Sequence, residues 1–411
     1  MGKDSNDSDE NNNFIKYFSE HFEFVSERRY WVDFNRIHDV GSDEEVEASA
    51  CREFKPKESV VQTYRFSGYE IELHIIEGLE AKVAGITIRG KGEIKIKGRF
   101  REEDKIIKKI ENEDRLRIVN QRYRTDDVIQ ISVLDGISGF EDKQKLHELL
   151  EGINNDSVTS YLHKSTYYCL ADKVYRINQK WAKKGRGGIC TFQQTIIREN
   201  GSADVVFIGD SPIWIIRELN STMLIKDYSD QFHNQFGYIN EFAGVEQYKP
   251  FDEDMPKYTI LIGGSDGILD LFGMVYGATY YNGIGRGFEK PDITTSINQF
   301  IQEYIGSELD KIVNEMTPEE IEEERRMREY EAQQQLGEDN REDKFQIDDK
   351  NERNEADLGL ITYKLMHPIK LLEYILQKAL PVLKEKERHD DITLWFYVPE
   401  IKGIVIVIKP T

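Results

Sequence analysis

Cysteine is scarce. Cys51, Cys169 and Cys190 lie far apart in 411 residues. That spacing excludes a disulfide framework and a thiolate metal site. It fits a reducing, intracellular setting, so the expected location is cytoplasmic. Long apolar runs are missing too. None approaches the ~20 residues of a membrane span, and the polar, acidic N-terminus does not read as a signal peptide. Met1-Gly2 begins like a myristoylation signal, but Asn6 stands where Ser or Thr is required. Basic excess is absent: the net charge is −21, which argues against a nucleic-acid binder and against binding anionic lipid. Zinc spacings are absent as well, since His147-Glu148 lacks the second histidine of a zinc helix. There is no internal repeat.

What the chain does have is 39% hydrophobic and 11% aromatic residues, enough for a substantial core. Residues 1–13 are acidic and almost free of apolar groups, so an unfolded tail is expected. Phe14, Tyr17, Phe18, Phe22 and Val25 are spaced as on an amphipathic helix, packing on the main body or taking a partner. We therefore expect an N-terminal helical extension over 14–58. From Ser59 the period becomes two. Val60–Phe66 with Tyr69–Ile76, and Val83–Arg89 with Glu93–Arg99, read as two hairpins. Leu116–Val119 and Val128–Leu134 read as strands. Leu146, Leu149, Leu150 and Ile153 then share one helix face, and Leu170, Val174, Ile177 and Trp181 continue the pattern in a second helix.

Strands resume at Ile189–Ile197, Asp204–Ile208, Pro212–Arg217, Met223–Ile225 and Tyr258–Ile262. Tyr276–Phe288 reads as a loop. Gly283-Ile284-Gly285-Arg286-Gly287 lacks the strand–turn–helix setting of a nucleotide loop. Ile297 through Ile312 and Pro368–Leu383 read as helices. Between them, Thr317-Pro318-Glu319-Glu320 opens a charged helix, followed by a low-complexity acidic stretch over Glu338–Asp357. Ile392–Val398 is the next strand. The expected organisation is one domain over 59–399, a charged insertion at about 272–358, and a C-terminal strand over 400–411.

Five acidic sites share one placement, at the edge or entry of a strand-length apolar run. They are Glu113-Asp114, Asp135-Gly136, Asp210, Asp266 with Asp270, and Asp390-Asp391. Carboxylates at strand ends can converge on one sheet edge, where they would repel one another and raise their own pKa values. Divalent cations remove that repulsion. An all-oxygen ligand set without clustered Cys or His points to Mg²⁺ or Mn²⁺. Two such ions about 4 Å apart could clamp a phosphoryl group. Cys190 and Thr191 have no convincing base and read as buried structural residues. His389 reads as a surface or supporting histidine.

The ordered set of motifs resembles the PP2C (PPM) family of metal-dependent protein phosphatases. The resemblance rests on Asn112-Glu113-Asp114, Val133–Gly139, Ile208-Gly209-Asp210-Ser211, Ser265-Asp266-Gly267-Ile268-Leu269-Asp270 and Asp390-Asp391-Ile392-Thr393-Leu394. Lys226-Asp227-Tyr228-Ser229 is a fainter echo. The blocks run from about Lys108 to Val398. The resemblance implies an α/β, layered α+β fold: a β-sandwich of two antiparallel sheets flanked by α-helices.

It also implies roles. Asp135 would bridge two core ions. Asp266 and Asp390 would complete one site, Glu113 and the Gly136 carbonyl the other. Asp210, Asp266 and Asp270 match a third ion's ligands. Asp114 would orient the attacking water. Lys109 stands where the family places a phosphate-binding arginine, as a point charge rather than a fork. The implied function is hydrolysis of phosphoserine and phosphothreonine in proteins by in-line attack of a metal-bound hydroxide, opposing a Ser/Thr kinase. The alternative is a pseudophosphatase that kept the fold as a binding module. Ile137 replaces a histidine proposed as general acid in animal members. Pro212 replaces a common arginine, the segment between Asp210 and Asp266 is short for the family, and that between Asp270 and Asp390 is long.

Overall fold

Runs rich in Val, Ile and Thr with a period of two place one side-chain set on each face of a strand. Most described strands follow that rule. The computed structural model of the chain describes residues 22–30, 59–66, 69–76, 83–91, 93–96, 105–108, 111–123, 126–137, 142–159, 167–184, 188–198, 203–219, 222–227, 249–253, 260–277, 293–315, 367–386 and 389–399.

Strands β1 (Glu23–Tyr30), β2 (Ser59–Phe66), β3 (Tyr69–Ile76) and β4 (Val83–Ile88) form one half of an eight-stranded sheet. A short pair, β5 (Glu93–Ile96) and β6 (Lys105–Lys108), stands apart. A five-stranded sheet is built from β7 (Arg115–Tyr123), β8 (Asp126–Leu134), β9 (Phe192–Arg198), β10 (Ala203–Ile208) and, later in the chain, β13 (Lys249–Glu253). The eight-stranded sheet is completed by β11 (Ile213–Leu219), β12 (Thr222–Asp227), β14 (Ile260–Gly264) and β15 (Ile392–Tyr397), in the order β1-β2-β3-β4-β15-β14-β11-β12. Every strand pairing is antiparallel.

Three apolar clusters make four layers. Between the sheets, Leu116, Ile118, Ile131 and Val133 of the smaller sheet meet Val83, Ile215, Leu261 and Trp395 of the larger. Outside the smaller sheet lie α1 (Lys143–Thr159) and α2 (Tyr167–Trp181), which bury Leu146, Leu150, Ile153, Val174 and Ile177 against Phe192, Ile196 and Val206. Outside the larger sheet lie α3 (Gly267–Tyr276), α4 (Ile293–Glu315) and α5 (Pro368–Glu385). Their Phe272, Phe300, Tyr304 and Leu372 pack on Ile71, Ile86 and Phe396. Burying each such side chain contributes about 1.5–3 kcal/mol. The architecture is the expected sandwich of two antiparallel sheets flanked by helices.

Three expectations fail. The helix expected over Phe14–Val25 gives way, in its described part, to β1, which joins the larger sheet by pairing with β2. The helical extension over 14–58 is thus wrong at Glu23–Tyr30. The aromatic spacing misled because Phe22 and Phe24 follow a strand period: their rings lie 6.3 and 5.7 Å from Tyr64. The hairpin of Val83–Arg89 with Glu93–Arg99 does not form either. β4 pairs with β3 and β15, and β5 turns to β6. Lys91, just past β4, bridges instead to His389, far along the chain. Helix α3 was not anticipated, and Tyr276, expected in a loop, is its last residue. Lys109, Gly283–Gly287, the charged insertion beyond Glu315, the tail over 1–13 and the strand over 400–411 lie outside the described residues.

Candidate functional site

Glu113 and Asp114 lie just before β7, Asp135 just after β8, Asp210 just after β10, Asp266 just after β14 and Asp390 just before β15. Strand ends from both sheets thus meet at one edge of the sandwich. Asp270 follows Asp266 by one turn on α3 and shares its face.

Charge shows that these groups face one another. The Asp135 carboxyl is held well above the usual carboxylate range, first by burial and then by repulsion from Asp266, Asp114, Asp390 and Asp210. The Asp266 carboxyl is pushed up to about 7 by burial and by Asp210, Asp390 and Asp270, against a lowering hydrogen bond with Asp135. Six of the predicted carboxylates are thereby brought together around Asp135 and Asp266. No three of them already stand as a closed ligand set among the described residues.

The backbone explains the convergence. The Asp391 carboxylate accepts N–H groups from Gly90 and, at 2.8 Å, from Glu113. The two aspartates at the head of β15 therefore divide their work: Asp391 clamps backbone and Asp390 faces the cluster. Arg115 donates to the carbonyls of Asn112 and Asp114, both at 2.6 Å, and to Glu151 of α1 at 2.7 Å. The Asp114 side chain accepts from Thr393 Oγ1 at 2.8 Å. On the opposite side, Ser265 N–H donates to the Thr393 carbonyl at 3.1 Å, and Thr393 N–H donates to Ser265 Oγ at 3.0 Å. A Cβ on Gly267 would come within 1.9 Å of the Asp391 carbonyl oxygen, so α3 can start there only on glycine.

Gly136 proves necessary for a similar reason. Its N–H donates to the Glu113 carbonyl at 3.2 Å, and a Cβ would stand 2.7 Å from that oxygen. Close approach of the Glu113 backbone selects glycine at this position. Glu113 itself is 7% exposed. One carboxylate oxygen pairs with the Lys143 ammonium, and the other, Oε2, is buried with no hydrogen-bond partner among the described residues. A buried orphaned carboxylate oxygen beside a repelling all-oxygen cluster fits a hard divalent cation.

The remaining candidates settle into supporting places. Cys190 is buried, and burial followed by the Asp135 charge pushes its thiol well up, so it stays protonated and inert. Thr191 Oγ1 and Ser211 Oγ share a 2.9 Å hydrogen bond. His389 is buried rather than at the surface, with Nδ1 2.7 Å from the Asp390 carbonyl oxygen. Sequence reading missed the division between Asp390 and Asp391, the Arg115 clamp and Lys143. Arg115 lies beside the motif, but no local spacing points to its partners.

No family model matches the sequence, and no curated protein matches it. Among solved structures it matches a bacterial serine phosphatase at 13% identity, covering 78% of this chain and 99% of that one, with a TM-score of 0.37. The SpoIIE phosphatase domain from Bacillus subtilis matches at 12% identity, over 80% and 97%, with a TM-score of 0.34. The PPM Ser-Thr phosphatase MsPP from Mycobacterium smegmatis matches at 11%, over 77% and 98%, with a TM-score of 0.33. At these TM-scores the likenesses carry no argument about this chain.

Proposed function

We propose that the chain is a metal-dependent protein serine/threonine phosphatase that hydrolyses phosphoserine and phosphothreonine. The supporting observation is the mutual repulsion of Asp135 and Asp266 with Asp114, Asp210, Asp270 and Asp390, drawn from both sheets. Asp135, Asp266 and Asp390 would hold one cation. Asp135, Glu113 and the Gly136 carbonyl would hold a second, and Asp210, Asp266 and Asp270 a third. Mg²⁺ and Mn²⁺ suit these donors. Such cations, when bound, neutralise phosphoryl oxygens and lower the pKa of an attacking water.

The chain's own residues do the rest. Asp114, steadied by Thr393, accepts a hydrogen bond from the attacking water and sets its line of approach. Ile137 offers no proton, so the leaving alkoxide takes one from solvent. Lys109 would hold a phosphate oxygen as a point charge. A phosphorylated protein, the product of an opposing Ser/Thr kinase, is the substrate class. The scattered cysteines favour a cytoplasmic setting.

Purified protein with Mn²⁺ should hydrolyse a phosphopeptide, a chelator should stop it, and Asp266→Ala should abolish it. Activity indifferent to chelator would overturn the mechanism. Metal content measured beside turnover separates an active enzyme from a pseudophosphatase, which would hold the fold and turn over nothing.

A further inference from the structure

We propose that Lys143 is a built-in counter-cation that occupies Glu113 and must be displaced when a divalent cation binds, so that this lysine sets the affinity of the site. The inference rests on the reading of Glu113 as a cation ligand.

Four observations carry it. First, the interactions that shift Asp135 and Asp266 are all with other carboxylates, whereas Glu113 pairs with an ammonium. Second, only one Glu113 oxygen is engaged by Lys143, and the buried Oε2 finds no hydrogen-bond partner among the described residues. Third, the Glu113 backbone is fixed from three sides: its N–H by Asp391, its carbonyl by Gly136 and its flanking carbonyls by Arg115. A change of partner at Glu113 is therefore a side-chain event. Fourth, Lys143 is badly placed for the dipole of α1. Lys143 stands in the first turn, at the positive end of the helix dipole, and no acidic residue shares that turn. The helix start is satisfied by Asp142, whose Oδ1 accepts from Lys145 N–H at 3.0 Å.

The Lys143 side chain is 25% exposed while that of Glu113 is 9%. The ammonium thus sits on the solvent side of the pair. A flexible four-carbon stem and strong hydration let it swing outward once a cation takes the carboxylate. Cation binding at Glu113 then exchanges one partner for another, and its net strength is the difference between the two.

The test uses the full chain without substrate. Free Mn²⁺ is followed by electron paramagnetic resonance during titration of wild type, Lys143→Met and Lys143→Arg. Lys143→Met should bind Mn²⁺ about tenfold more tightly, the scale of one charge-assisted hydrogen bond, and Lys143→Arg should stay near wild type. Equal or weaker binding by a folded Lys143→Met overturns the inference and leaves the cation reading standing. No binding by wild type overturns both. A second measurement needs no variant: acylation of Lys143 in wild type, read by mass spectrometry, should rise severalfold on adding Mn²⁺. Unchanged or reduced labelling overturns the displacement.

Discussion

Glu113 and Asp114 come to the site ahead of a strand of the smaller sheet, Asp266 and Asp390 from strands of the larger, and the two halves are held in opposite ways. Glu113 has an ammonium partner, and its backbone is tied to Asp391. Asp114 has Thr393, and Arg115 grips the carbonyls around both. Asp266 opens α3 without a capping hydrogen bond from its side chain, and its carboxyl meets Asp135 while Asp210, Asp390 and Asp270 repel it. One half is pre-organised and compensated in charge. The other, together with Asp135 at the end of β8, stores repulsion that only protons or cations relieve. Cation binding should therefore stabilise the fold chiefly through Asp135 and Asp266, one from each sheet.

The comparison can be broken most directly at Asp266. Asp266→Ala should lower phosphopeptide turnover by roughly a thousandfold or more, yet raise the melting temperature measured in chelator, because a repelling charge leaves a buried cluster. A lower melting temperature there would place the strain elsewhere. Next is Asp391→Ala, which strips a partner from the buried N–H groups of Gly90 and Glu113. It should destabilise the protein by about 2–4 kcal/mol in chemical denaturation and reduce turnover with it, although Asp391 holds no cation in this reading.

The pH dependence sharpens the contrast. A carboxyl whose folded pKa is raised contributes stability that is fully present below its unfolded pKa, about 4, and is lost as pH rises through the folded value, about 7 for Asp266. Cation-free protein should thus lose stability between those limits, on the order of a few kcal/mol. Asp266→Asn or saturating Mn²⁺ should flatten the loss, which melting curves in chelator and in Mn²⁺ would show. The smallest effect is expected at Arg115→Lys. A lysine keeps the charge but cannot reach both carbonyls and Glu151 at once, costing about 1–2 kcal/mol with turnover lowered severalfold.

The acidic motifs and most strands were legible because they are local: a carboxylate at the end of an alternating run reads the same before and after folding. Asp135, Asp210, Asp266 and Asp390 needed nothing more. What could not be read depends on partners far along the chain. Whether 23–30 is helix or strand is decided by the free edge of β2. Whether β4 turns back on β5 is decided by the arrival of β15 and His389. That position 136 must be glycine depends on the neighbouring Glu113 carbonyl, which sequence does not show. Nothing in Lys143's own helix, which reads as an ordinary amphipathic segment, points across to Glu113.

Strand β15 carries a consequence for the order of assembly. It lies between β4 and β14, joining strands β1 to β4 to the three strands β14, β11 and β12 of the larger sheet, although it is the last described strand to be synthesised. Asp391 at its head reaches Gly90 and Glu113 across 301 and 278 residues. A nascent chain that has made everything up to α5 still has two unpaired inner edges, each a template for misassociation. It also has a Glu113 not yet fixed in place. Such long-range closure is slow, and here it arrives together with Asp390. The carboxylate cluster would therefore come into being only at the final closure of the sheet, so that no partly made chain could hold it complete.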